Sequence, residues 1–222
     1  MIINADNIPV RNMAKIIIYV YTLMFCYHVK GQVLKNEFAF NFGPTITSFY
    51  GNPDLKDFKP RMTYSVGVTY GYYCSENFLI QSGIFFERKG AKVGVDYFDN
   101  NGNYYQTSDI TFNREYLVVP VTCSLVTHTR IKFYFGGGLF LGYLLSANDI
   151  NTKVFPKETF AAETPRFDFG ISFGFGFLIP LNNRFNLDFG IKDNLSVYNT
   201  LKNELATRNN SIGLQMGLKY KF

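Results

Sequence analysis

Tryptophan is absent from this chain, histidine occurs twice and cysteine three times among 222 residues. These sparse ligands, at Cys26, Cys74, Cys123, His28 and His128, form no cluster with the spacing a metal ion needs. No glycine-rich phosphate loop opens a helix, so no cofactor is expected. Charged residues make up 18% of the chain and the net charge is +5. A charge so mild and dispersed argues against nucleic acid as a partner. Long apolar runs are missing too, since nothing reaches the roughly 20 residues of a membrane-spanning helix. What the chain does hold is 24 Phe, 16 Tyr and 19 Gly, and their order along it carries the reading that follows.

The one helix-like apolar run, residues 16–29, follows Lys15 and has the length of a signal-peptide core. It leads into Val29-Lys30-Gly31-Gln32, where small or modest residues precede a cut before Gln32. Residues 1–31 are therefore expected to be a cleavable signal peptide and residues 32–222 the mature domain. Met13 offers an ordinary start, so residues 1–12 read either as upstream sequence or as a long n-region. Cys26 is not expected to carry lipid, because Phe25 is not the small residue that such a cut requires. The leader takes His28 and Cys26 with it. His128, Cys74 and Cys123 remain, in a compartment that permits disulfides.

Eight segments of the mature chain alternate with period 2, namely residues 37–47, 63–74, 77–89, 110–125, 131–145, 166–180, 184–193 and 211–222. In the sixth, Phe167, Phe169, Ile171, Phe173, Phe175 and Phe177 oppose Asp168, Gly170, Ser172, Gly174 and Gly176. In the last, Ile212, Leu214, Met216, Leu218, Tyr220 and Phe222 oppose Ser211, Gly213, Gln215, Gly217, Lys219 and Lys221. The connections alternate as well. Residues 75–76, 126–130 and 181–183 are tight turns, whereas 48–62, 90–109, 146–165 and 194–209 are long. Outer-membrane barrels have this asymmetry, with short periplasmic turns and long extracellular loops. A soluble eight-stranded barrel would line its interior with the apolar face and charge its exterior. Here one face is uniformly aromatic and aliphatic, and the other is Gly, Ser, Asn, Gln and a few charges. The first suits lipid and the second a narrow interior. The expected fold is all-β, an eight-stranded antiparallel transmembrane β-barrel surrounded by outer-membrane lipid of a Gram-negative bacterium.

Parity points Glu87, Asp168, Asp188, Lys192 and Lys219 inward, with Lys221 a further inward candidate and Phe85, Tyr134 and Phe140 among them. The seventh and eighth strands adjoin, which makes Asp188 and Lys192 candidate neighbours for Lys219. Opposite charges in a narrow interior pair with one another, and side chains roughly fill an eight-stranded barrel. The lumen is therefore expected to be plugged, with an ion or proton path as the alternative. Gly136-Gly137-Gly138 marks a bend or a close-packing site.

Beyond the membrane, residues 97–105 read as a hairpin with Asn101-Gly102 at its tip. Tyr97, Phe98, Tyr104 and Tyr105 form a candidate contact surface for a protein or glycan partner; equally, the hairpin only prolongs the third and fourth strands. Asp99, Asn101 and Asn103 hint at a calcium loop, but its other ligands and closing Glu are missing. His128 falls in a periplasmic turn, where solvation is the expectation, far from the outer face where lipid-modifying barrels place catalytic His and Ser. Cys74 and Cys123 lie on strands separated by a third, about twice the ~4.8 Å strand spacing. That exceeds the roughly 4.4–6.8 Å of a disulfide, so both are expected to be free thiols facing lipid.

Tyr116-Leu117-Val118-Val119-Pro120-Val121 resembles the Tyr-Leu-Glu-Ile-Pro-Leu element of the PorT-like outer-membrane β-barrel family of Bacteroidota-type bacteria. Residues 81–92, Gln-Ser-Gly-Ile-Phe-Phe-Glu-Arg-Lys-Gly-Ala-Lys, are similar to that family's Gln-x-Gly-x-x-(Tyr/Phe)-x-x-Lys-Gly-Ala-Lys. The final strand resembles the closing strand of outer-membrane barrels generally. Over residues 32–222 the resemblance implies the fold, the location and an assembly signal at Tyr220 and Phe222 read by the barrel-assembly machinery. Val118 stands where the family often has Glu, so no role resting on that carboxylate carries over; nor does the secretion role of the founding member. Pro120 removes a ladder donor, which a bulge would accommodate. The expected function is a non-enzymatic barrel with a closed lumen, presenting its loops to a partner or ligand or serving envelope structure. A small-solute or apolar-ligand transport barrel is the alternative, and an envelope lipid-modifying enzyme ranks third.

Overall fold

The computed structural model describes residues 36–51, 58–99, 101–151, 165–199 and 207–222. The expected signal peptide, with Met13, Cys26 and His28, and parts of the long loops lie outside the described residues. The strands are β1 (Asn36–Tyr50), β2 (Phe58–Lys59), β3 (Arg61–Ser75), β4 (Phe78–Lys89) and β5 (Lys92–Phe98). They continue as β6 (Tyr104–Val126), β7 (Lys132–Asn151), β8 (Phe167–Pro180), β9 (Phe185–Ser196) and β10 (Arg208–Lys221). Eight of them close an antiparallel barrel in the order β1, β3, β4, β6, β7, β8, β9, β10 and back to β1. Each expected strand is present. The largest differences are at the loop end, where β6 begins at Tyr104 and β7 runs on to Asn151. The apolar–polar alternation fades there because both faces of a strand beyond the bilayer meet water.

β5 continues β4 along β6 in one register, Lys89 opposite Arg114 and Lys92 opposite Thr111. Between them Gly90 has φ +139°, a conformation that glycine adopts without steric cost. β2 pairs with β5, so this side of the wall stands taller than the rest.

The two faces are inverted relative to a soluble protein. Phe40 is 51% exposed and Phe135 65%, and Leu, Ile and Val share the same outer face. An apolar surface of that extent is unstable in water and suited to lipid, where closure leaves no unpaired backbone edge. The Arg88–Glu115 pair at 2.6 Å, with Arg88 5.4 Å from the Tyr64 ring, marks the loop-side edge of the apolar band. Phe185, Tyr220 and Phe222, with ring centroids 5.0 and 6.0 Å apart, mark the turn-side edge.

Close packing shapes the wall from inside. A Cβ at Gly136 or Gly138 would collide with the β6 backbone at Cys123 or Val121, which is why that glycine run is there. Pro120 is not at a bulge. β4 and β6 hold one register on both sides of it, Ser82 opposite Val121 and Phe85 opposite Val118, and only the rungs between lack pairing. Its unbroken pairing with Phe140 on β7 keeps the strand extended, and Ser82 Oγ donates to the Pro120 carbonyl at 3.0 Å.

Candidate functional site

Period-2 alternation sends every second side chain of each strand into a lumen too narrow to hold bulk water, so charges that enter must find one another. They do so in two layers. Nearer the periplasmic turns, Lys219 Nζ donates to Glu37 Oε1 at 3.2 Å and lies 3.3 Å from Asp188 Oδ2. Glu37 also accepts from Tyr73 Oη and Gln81 Nε2, both at 3.1 Å. Asp188 accepts from Tyr134 Oη at 2.9 Å and Gln215 Nε2 at 3.3 Å.

In the layer nearer the loops, Lys89 Nζ donates to Asp168 Oδ2 at 3.0 Å and lies 3.9 Å from Glu87 Oε2. Lys192 Nζ donates to Glu87 Oε1 at 3.4 Å, and Asn194 Nδ2 reaches the same carboxylate at 2.9 and 3.1 Å. Asn209 Nδ2 donates to Asp168 at 3.3 Å. The ammonium groups also sit on aromatic faces, Lys89 4.4 Å from the Phe140 centroid and Lys192 4.1 Å from that of Phe85. Such contacts partly replace lost hydration.

Two cavities, of about 60 and about 20 Å³, adjoin these layers. They have room for a few waters and none for a solute. Ser172 Oγ, Ser196 Oγ, Thr207 Oγ1 and the amide oxygens of Asn194 and Asn209 are buried without a partner among the described residues, as suits groups that internal water satisfies.

The structure thus brings together all five inward charges named from the sequence. It separates Lys192 from Lys219, however. Lys192 belongs with Glu87, because Glu87 enters from the opposite wall at its height and compensates its charge. Lys221 is half-buried at the rim, 4.7 Å from the Tyr73 ring. The reading from sequence missed Glu37, Lys89 and Arg114, all buried, although Lys89 shares the parity of Glu87, which was placed inside. Asn194 and Asn209 lay just past the expected strand ends.

Outside the membrane, β5 and β6 form the expected hairpin, with Gly102 at φ +81° in its tip. Asp99 organises this turn. Its Oδ1 accepts from the amides of Asn101 and Asn103, both at 2.8 Å, and its Oδ2 from Asn103 Nδ2 at 3.1 Å. With those oxygens engaged in the turn, the calcium hint has no support. Phe98 and Tyr104 pair edge-to-face at 6.3 Å and, with Tyr105, are exposed. Tyr97 lies on β5 opposite Gln106. At the other end of the molecule, His128 Nε2 lies 3.0 Å from Asn77 Oδ1 in an exposed turn. Cys74 and Cys123 are exposed, free, and on strands separated by β4. Tyr220 and Phe222 stack at the turn-side edge.

An apolar exterior, a closed ladder and an ion-paired interior define an integral outer-membrane β-barrel protein of a Gram-negative bacterium. The sequence matches the outer membrane protein beta-barrel domain family over residues 31–201 and belongs to it. Among solved structures, the chain is similar to neisserial surface protein A, at 14% identity over 83% of this chain and 97% of that one, with a TM-score of 0.45. OprG from Pseudomonas aeruginosa is similar at 13% identity, 85% and 96% coverage and a TM-score of 0.45. Outer membrane protein W of E. coli is similar at 12% identity, 85% and 98% coverage and a TM-score of 0.45. Likeness at such identities is one of fold alone. No curated protein matches the sequence.

Proposed function

We propose that this protein is a closed, non-enzymatic envelope barrel of the PorT-like kind, acting outside the membrane through its β5–β6 hairpin. The observation that carries this reading is the pair of ion-paired layers across the lumen. With Lys89, Asp168, Asp188 and Lys219 each at most 3% exposed, a solute path would have to break several buried, hydrogen-bonded charge pairs. The hairpin, by contrast, has Asp99 hydrogen-bonded to Asn101 and Asn103 at its tip and presents Phe98, Tyr104 and Tyr105 to the medium. Exposed aromatics of this kind suit a protein or glycan partner. Tyr220 and Phe222, at the end of the closing strand, are read as the signal for the barrel-assembly machinery. No enzymatic role is assigned, His128 being engaged with Asn77 in a turn on the periplasmic side.

Planar-bilayer recording of the pure refolded protein tests the closed lumen. The expected trace is silent across the usual voltage range. Steady nanosiemens-scale openings would overturn the reading in favour of small-solute transport.

A further inference from the structure

The outer wall of β7–β10 contains a groove of about 460 Å³ within its apolar face. Two rows of outward side chains bound it. Phe177, Phe189 and Met216 form the row nearer the turns, and Phe175, Ile191 and Leu214 the row above. The floor between them is the backbone of Gly176, Gly190 and Gln215. Gln215 turns its side chain inward to Asp188. The two glycines are imposed from inside, because a Cβ at either would collide with Tyr134 Oη, which bonds the same aspartate. On the lipid side the trough is set by the two outward rows themselves, whose side chains flank this strip of bare backbone.

Below the trough stands a cation. Arg184 Nη1 donates to Tyr220 Oη at 3.4 Å, and Tyr220 is four residues further along β10 than Met216. Four residues span about 13 Å of strand, or about 10 Å of depth at the tilt of such barrels. The polar zone of each leaflet is about 5–8 Å thick. The trough thus begins within the hydrocarbon while Arg184 stands at the level of lipid phosphates. The turns on this side, residues 127–131 and 181–184, carry Arg130 and Arg184 and no acidic side chain.

We propose that this wall holds one glycerophospholipid of the periplasmic leaflet, an acyl chain in the trough and the phosphate on Arg184. A second copy of the chain fits less well. In a membrane, the two-fold axis of such a dimer runs along the bilayer normal. It would bring both Arg184 side chains to one depth with no acidic side chain of these turns to meet them.

The test titrates dioleoylphosphatidylglycerol into the full refolded protein in neutral-detergent micelles, with methionine methyl groups labelled for NMR. The Met216 methyl should shift saturably at one lipid per barrel. The Met62 methyl, 74% exposed at the loop end, should not move. Arg184→Ser should weaken the lipid about fivefold, the loss expected for one arginine near an anionic surface. Ile191→Trp should fill the trough and abolish the Met216 response. A heat-dependent gel shift confirms that each variant is folded; if the Trp variant is not, Leu214→Phe takes its place. A non-saturating response, or one unchanged by Arg184→Ser, would mean ordinary annular lipid and overturn the proposal. So would a Met216 shift that follows protein concentration instead of lipid, which would identify a second copy as the occupant.

Discussion

Replacing Lys219 by methionine tests whether the lumen is closed to bulk water. Lys219 is 2% exposed, and its partners Glu37 and Asp188 are 1% and 0% exposed. Without the ammonium group, two carboxylates share a closed space with no cation between them. Removing one partner of a buried pair costs about 3–5 kcal/mol, because the remaining charge stays buried and uncompensated. Tyr73 and Gln81 still donate to Glu37, and Tyr134 and Gln215 to Asp188. Those bonds soften the loss, which places the expected value near the lower end, about 3 kcal/mol. Neutralising the whole group in Lys219→Met/Glu37→Gln/Asp188→Asn should recover stability to within about 1 kcal/mol of the parent, since uncharged residues of similar volume often replace buried ion networks at little cost. The assay is urea unfolding in detergent micelles, followed by circular dichroism and the heat-dependent gel shift. The midpoint should move while the slope stays constant. A loss below about 1 kcal/mol for Lys219→Met would refute the reasoning, because surface-like energetics imply carboxylates already solvated in a wet channel.

Other consequences are equally open to measurement. Gly138→Val should abolish the fast-migrating unboiled band, because the new side chain would drive into the Val121 carbonyl of β6; a normal shift would mean that β6 and β7 are less tightly packed. Asp99 is held below the ordinary aspartate range, first by the Asn103 backbone amide, then by its side chain and the Asn101 amide. A depressed acid contributes order that is full above the ordinary range and lost as pH falls through its own lower value. Amide protection at Asn101 and Asn103 should therefore survive to more acid pH than free aspartate would allow, and loss at the ordinary value would count against the turn. Cys74 and Cys123 should stay unlinked on a non-reducing gel under mild oxidation, since β4 lies between their strands.

Much of the barrel was legible because lipid and lumen make opposite demands on alternate residues. Phe167 to Phe177 on β8 and Ile212 to Tyr220 on β10 could take no other arrangement without exposing charge to lipid. The same parity gave Glu87, Asp168, Asp188, Lys192 and Lys219 their side of the wall. It failed as a guide to partners, placing Lys192 beside Lys219 when Glu87 lies across from it. Strand ends were harder. β6 and β7 run beyond the bilayer, where nothing forces alternation, and the loop-side ends of β9 and β10, with Asn194 and Asn209, likewise fell outside the expected strands. Pro120 misled for a related reason. A missing donor reads as a bulge along one strand, whereas pairing with β7 on the other side keeps the strand straight.

By itself, then, the sequence determined which face of each strand meets lipid, how many strands cross, and which end bears the long loops. Those are properties of neighbours along the chain, set by a period of two and by the cost of moving charge out of water. Only the tertiary structure decided that Glu87 meets Lys192 and Lys89, that Glu37 and Asp188 share Lys219, and that β5 prolongs β4. It also brought Tyr134 against Gly176 and Gly190. Those depend on which strands stand opposite one another at one height in the closed cylinder, and alternation along a single strand carries no record of shear or closure.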